Sequence, residues 1–389
     1  MQWIDMHCDT LSELHRQNLQ KNIQGTDPAQ DSGSRTAGCR GTMQTLEKNS
    51  LCVDISRLEQ AECRAQFFAC FVNAAEYAGE NGSDAGSPAR QDHTRQDLSL
   101  WDRAYEAVLQ MTDLARAAQN DRFRLAVRRA EFEGKEEKKE KEEKEAKDEA
   151  QHERNAVKGI LTVEEGGVLG GRPARLEELY KKGVRLITLT WNYENCLGSP
   201  NSRDPAVMSR GLTPFGFETV ERMNGLGMLI DVSHLSDGGF WDCIRMSRAP
   251  VIASHSNARA LCPHPRNLSD EMLAALGEKG GVVGVNFYGA FLRAPDEQKT
   301  RRGNMTGTIP GIDDILRHMR HIMDKAGEDA VALGTDFDGF DRTSLPRGIA
   351  GVQDMEKIWE AMEQAGFTAR QIEKTAYGNV SRIIRDVWK

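Results

Sequence analysis

The chain has 389 residues and a formal net charge of -8. That balance excludes the basic footprint of a nucleic-acid-binding surface, and the length suits two or three ordinary domains or one large α/β barrel. No apolar run is long enough to cross a bilayer, and the opening MQWIDMHCDT lacks the basic and apolar blocks of a signal peptide. The eight Cys include no CxxC pair, which reads as reduced thiols in a cytoplasmic protein rather than a disulfide framework.

The first predicted strand, 3–6, runs into His7-Cys8-Asp9. Residues i and i+2 of a strand share a side, so His7 and Asp9 aim at one point and Cys8 packs the other way. Neutral imidazole and carboxylate are both good zinc ligands; the plainer reading is a His beside a surface Asp. A polar, Gly-rich loop at 24–50 precedes a second strand at 67–72, and a similar loop follows at 78–95. A helix is predicted over 98–118, with Leu100, Ala104, Val108 and Met111 on one stripe. Residues 133–154 then read EGKEEKKEKEEKEAKDEAQHER. With no apolar stripe, this segment buries no face, and it reads as a solvated insertion at about 133–155. Further strands are predicted at 157–163, 184–190, 228–232, 251–253, 281–286 and 330–334, with helices at 175–182, 216–226, 270–279 and 312–326 between them. Eight strands alternating with helices imply a parallel sheet closed into a (β/α)8 TIM barrel, one domain over 1–389. No GxGxxG follows a strand, so nothing supports the open nucleotide-binding alternative.

In such a barrel, chemistry sits at the carboxyl ends of the strands. The first strand ends on His7 and Asp9, the third on Glu164-Glu165-Gly166-Gly167, the fifth on His234, the sixth on His255 and the eighth on Asp336 and Asp338. Of nine His, these three fall at strand ends. A His there is often just a satisfied core residue, but three of them with acids at further strand ends point to a metal centre. The ligands suffice for two ions: His7 and Asp9 on one, His234 and His255 on the other, and a Glu carboxylate between them.

These residues resemble the membrane (renal) dipeptidase family of zinc peptidases. The resemblance rests on HxD after the first strand, EGG after the third, DVSH after the fifth, SHS after the sixth, and GTDFDG after the eighth. Pro265-Arg266-Asn267, the run GVVGVNFYGAFL and Gly378-Asn379 extend it over most of the chain. It implies a barrel with two Zn2+ that hydrolyses dipeptides by a metal-bridging hydroxide and tolerates a D-residue at the C-terminal position. By position it makes His7, Asp9, Glu165, His234 and His255 the metal ligands, with Glu165 bridging because it directly precedes Gly166-Gly167. It makes Arg266 the reader of the substrate's carboxylate, and Tyr288 and Trp191 are expected at the substrate. It implies that Asp336 holds the α-amino group and carries the proton, and Asp338 is expected to be the structural acid of the pair. The chain departs from the pattern at Trp191, where the family carries a His thought to polarise the scissile carbonyl; an indole N–H is a neutral donor only, and Asn192 is a possible substitute.

The sequence thus predicts a zinc dipeptidase, a homodimer by base rate. The alternatives are a metal-dependent amidohydrolase acting on another small amide, such as an N-acyl amino acid, and a non-catalytic metal-binding scaffold that docks through the charged insertion.

Overall fold

The computed structural model describes residues 1–24, 44–77, 98–134, 156–294 and 309–389. Nearly all of the charged insertion and most of the two polar loops lie outside the described residues. Nine strands are formed: β1 (Trp3–Cys8), β2 (Cys63–Phe71), β3 (Phe123–Leu125), β4 (Val157–Glu164), β5 (Val184–Thr188), β6 (Leu229–Asp231), β7 (Ile252–Ala253), β8 (Val282–Val285) and β9 (Val331–Leu333). All pair in parallel. Around the ring the order is β1-β2-β4-β5-β6-β7-β8-β9, and β9 returns to β1. The fold is a closed (β/α)8 barrel.

The strand missed by periodicity is β3. It pairs only with the first residues of β4, Val157 to Gly159, before β5 takes over the same edge at Leu161. Three residues are too few to show a pattern. The predicted helices form at Leu98–Ala117, Pro173–Lys181, Pro214–Leu226, Asp270–Glu278 and Ile312–Ala326. Their starts carry local signals. Thr213, Ser236 and Ser269 cap helices by accepting a hydrogen bond from the backbone N–H three residues on.

One core cluster fills the barrel. Ile4, Met6, Phe67, Ile160, Leu186, Leu229, Ile252, Val282 and Ala332 pack together, and Val380, Ile383, Ile384 and Val387 of the last helix, Asn379–Val387, join them. That helix closes the amino-terminal end of the barrel. Its first residue, Asn379, donates from Nδ2 to the carbonyls of Glu328 and Val331 at the start of β9.

The other end is open to chemistry because of a slip in β1. Asp5 pairs with Gln66 and Cys8 with Phe68, so three steps on β1 match two on β2. Such a bulge reverses the alternation of side chains. Met6 therefore packs in the barrel core while its neighbour His7 also faces inward, and Cys8 joins the outer cluster with Phe68.

Candidate active site

Each candidate stands at or just past the carboxyl end of a strand. Glu164 is the last residue of β4; His234, His255 and Asp336 follow β6, β7 and β9 within three residues. The centre of the group is the Glu164 carboxylate. Its Oε2 lies 3.3 Å from His7 Nε2, and its Oε1 lies 3.0 Å from His234 Nε2 and 3.5 Å from His255 Nε2. His7 Nε2 is also 3.3 Å from Asp9 Oδ2 and 3.8 Å from Asp336 Oδ1. Two triads result, His7-Glu164-His255 and His7-Asp9-Asp336, sharing His7.

Glu165, expected as the bridging ligand, is placed elsewhere. Along β4, Ile160 packs in the barrel core, and alternation brings Thr162 and Glu164 to the same side. Glu165 comes next, leaves the strand at φ 89° and turns its carboxylate out of the group. It accepts from Gly167 N at 2.9 Å, Asn195 Nδ2 at 2.5 Å and Trp191 N at 3.3 Å. Burial pushes its pKa up to about 7 against those three donors. The expectation followed the Gly-Gly pair rather than the strand's alternation, and Glu164 is the residue among the imidazoles.

The imidazoles are held from behind. Ser254 Oγ gives its proton to Asp231 Oδ2 at 2.5 Å, so it accepts from His255 Nδ1 at 2.7 Å. His234 Nδ1 donates to Asn192 Oδ1 at 3.3 Å. Asp231 also receives Thr188 Oγ1 and the backbone N–H groups of Ser233 and Ser254. Asp5 does the same work for β1, accepting from Thr335 N and Oγ1, Gln66 Nε2 and His7 N. Outer partners of this kind fix ring orientation and tautomer at metal sites.

With both Nδ1–H groups spent, the Nε2 lone pairs of His234 and His255 face each other at 3.0 Å and both face Glu164. Burial lowers the pKa of both, His234 to about 4, so the rings are neutral. Burial opposes the Glu164 charge, but His7 and the other imidazoles hold its pKa well below the usual carboxylate value. Two bare nitrogens and a carboxylate converging without a donor call for a cation. His7 Nε2 and Asp9 Oδ1 add to the demand, being buried without a hydrogen-bond partner. Burial disfavours a proton on His7, yet Glu164 and Asp9 raise its pKa well above normal, and a divalent ion would take that proton's place. The donor set of imidazole nitrogen and carboxylate oxygen fits zinc.

Asp336 is held by Asn286, whose Nδ2 donates to Oδ2 at 2.9 Å. Burial, with the Asp9 and Glu164 charges and against His7, pushes its pKa up to about 8. It crowds Asp9 so closely that a Cβ on Gly339 would overlap both carboxylates. Asp338 is spent elsewhere, accepting from Thr10 Oγ1 at 2.6 Å and Cys52 N at 2.8 Å. Arg266 is buried beside the cluster and donates to His255 O at 3.1 Å and Ser256 Oγ at 3.3 Å, but its Nε has no partner. Burial lowers its pKa to about 10, so it stays charged at neutral pH. Tyr288, on the neighbouring loop, packs its ring on Phe291 and Phe340. Trp191 lies 6.4 Å, ring to ring, from His234.

Asn286, Ser254 and Asp231 also hold the site, although the sequence reading assigned them no role. They lie inside the runs GVVGVNFYGAFL, SHS and DVSH, and what they bond to needed the geometry. The backbone is strained here as well. Among the described residues five non-glycines have positive φ, and Glu165, His234, Asp336 and Asp338 are four of them. Each costs about 1–3 kcal/mol, a pattern typical of functional sites.

The model of the membrane dipeptidase family, peptidase family M19, matches residues 1–389. The chain belongs to this family. It is a metallopeptidase that acts on dipeptides. A dipeptidase of Claviceps purpurea, tcpJ, is 30% identical over 339 residues, 86% of this chain and 69% of that protein. Among solved structures, the metallopeptidase dipeptidase AC superimposes with a TM-score of 0.74 at 26% identity, covering 100% of this chain and 99% of that one. A metallopeptidase from Rhodobacter sphaeroides, liganded with a phosphinate mimic of L-Ala-D-Ala, gives 0.72 at 26% identity with the same coverage.

Proposed function

We propose that this metallopeptidase uses two zinc ions, with Glu164 bridging them, His7 and Asp9 completing one site and His234 and His255 the other. The observation that carries this reading is the Glu164 carboxylate facing three imidazole Nε2 atoms, each within 3.5 Å. Bound zinc supplies a Lewis acid that lowers the pKa of water from about 15.7 towards 7. The protein's own groups do the rest. Arg266 presents a planar guanidinium with a free Nε to the substrate's carboxylate. Asp336 holds the free α-amino group, accepts a proton from the attacking water and returns it to the leaving amide nitrogen. Cations beside it would bring its pKa down from about 8 towards the ordinary carboxylate range. With one anchor at each end, the site admits two residues, and a longer peptide would bury a charge without a partner.

A C-terminal D-residue belongs to the same reading, supported by the L-Ala-D-Ala mimic bound to the Rhodobacter sphaeroides relative. So do a cytoplasmic location, in keeping with seven free cysteines among the described residues, and a homodimer. No helix among the described residues is long and apolar enough to cross a membrane.

The test offers the zinc-loaded protein an L,D dipeptide, the same dipeptide amidated at its C-terminus, and the matching tripeptide, with bound metal counted in parallel. Cleavage of the first alone, with two zinc ions per chain, is expected. Cleavage of the amide at the same rate would remove Arg266 from its role, and one ion per chain would remove Glu164 from the bridge.

A further inference from the structure

We infer that Trp191, Phe71 and Tyr193 form an aromatic wall that takes the side chain of the substrate's carboxyl-terminal residue, so that the enzyme favours an aromatic or large apolar residue there, in one configuration. The inference rests on the proposed anchoring of the substrate by Asp336 and Arg266.

The rings make a continuous surface at the mouth. Phe71 ends β2 and meets Trp191 edge-on at 4.9 Å; Trp191 meets Tyr193 edge-on at 5.7 Å. Trp191 and Phe71 are half-buried, and Tyr193 is 38% exposed. Three large rings left partly open, with Trp191 6.4 Å from the candidate ligand His234, are not a sealed core packing. The wall is also fixed in place. Glu165 accepts from Trp191 N, and Asn195 ties Glu165 to Leu189 O by a second bond from its Nδ2. This gives the buried Glu165 carboxylate a role away from the metal cluster: it positions the loop that carries Trp191.

The order of strands says which substrate residue meets the wall. Trp191 follows β5 and Asp336 follows β9, four steps apart in an eight-strand ring, so they stand on opposite sides of the mouth. The amino-terminal residue, held by Asp336, points away from the wall. The carboxyl-terminal residue lies across the cluster, on the His234 side. Its carboxylate goes to Arg266 after β7, and Trp191 after β5 flanks His234 from the other direction. With amide nitrogen and carboxylate both fixed, the two configurations at that carbon exchange side chain and hydrogen. Only one of them turns its side chain onto the rings. This is also the position at which the chain departs from the pattern it otherwise resembles.

The experiment measures kcat/KM of the zinc-loaded full-length enzyme on Ala-Gly, L-Ala-L-Phe, L-Ala-D-Phe and Phe-Gly. The wild type should prefer one Ala-Phe configuration over Ala-Gly by about tenfold or more, the scale of an aromatic pair plus its buried area. Trp191→Ala should lower that ratio about tenfold, mainly through KM, while the ratio of Phe-Gly to Ala-Gly moves less than twofold. Trp191→Phe should keep most of the preference. Tyr193→Ala, a change at an exposed ring, should lower it about threefold. An unchanged ratio in both Trp191→Ala and Tyr193→Ala overturns the inference, and so does a change confined to Phe-Gly. If the wild type cleaves none of the four, the substrate reading beneath the inference fails as well, a result distinct from cleavage without preference.

Discussion

The two ends of the barrel are built on opposite terms. At the floor, the last helix sets Val380, Ile383, Ile384 and Val387 against apolar residues from all eight barrel strands. At the mouth, five of those strands lead into His7, Glu164, His234, His255 and Asp336, polar groups of which the first four are buried, with His234 and Asp336 in left-handed backbone. The floor gains stability from area removed from water. The mouth gives stability up, holding the Asp9 and Asp336 carboxylates within 4.8 Å of each other and the bare lone pairs of His234 and His255 at 3.0 Å, an arrangement a cation would relieve. Breaking the floor should therefore cost stability and spare the chemistry, whereas breaking the mouth should do the reverse.

The largest effect is expected at the centre of the mouth. Glu164→Gln should lower kcat/KM by about 10³-fold or more and reduce bound zinc, measured by metal analysis, with the fold retained by circular dichroism. Glu165→Gln, which keeps a hydrogen-bonding side chain at the loop, should lose about tenfold or less and keep its zinc. The reverse ranking would restore Glu165 to the bridge. At the floor, Ile384→Ala should cost about 2–5 kcal/mol of unfolding free energy by denaturant titration, leaving kcat/KM per folded molecule unchanged.

Between the ends, His318 joins the helix Ile312–Ala326 to the loops after β7 and β8. Its Nδ1 accepts from Ala258 N at 3.1 Å and its Nε2–H donates to Leu292 O at 3.0 Å. Burial lowers its pKa to about 4. The folded value lies below the unfolded value of about 6.5, so the unfolded chain binds the extra proton first. Its contribution is complete above pH 6.5 and is lost as pH falls towards 4, to about 3 kcal/mol. His318→Gln should flatten stability against pH over that window; an unchanged slope would remove His318 from it. The smallest effect is expected behind the ligands, where Ser254→Ala should weaken zinc affinity about 10- to 100-fold by freeing the His255 ring.

Much of this could be read along the chain. Each barrel strand is built on a short apolar run, because strands buried on both faces are mostly apolar until they end. The first polar residues past each run then marked the mouth, and three of nine His fell there. The same burial hid the phase of β4. With Leu161 and Val163 as apolar as Ile160, nothing in VKGILTVE says which of two adjacent glutamates faces inward. In β1 the slip at Met6-His7 changes the phase partway, and it exists only as a mismatch with β2. The floor was unread for a related reason. The apolar stripe of Asn379–Val387 has no meaning until the closed barrel offers it an end to cover.

Residue type and strand position thus follow from local chemistry, which a single chain carries in its order of residues. Which carboxylate faces the imidazoles, which rings pack beside Trp191 and where Asp336 stands relative to Trp191 depend on closing eight strands into a ring. Closure joins residues that lie more than a hundred positions apart, and only their shared burial, repulsion and hydrogen bonding decide the outcome.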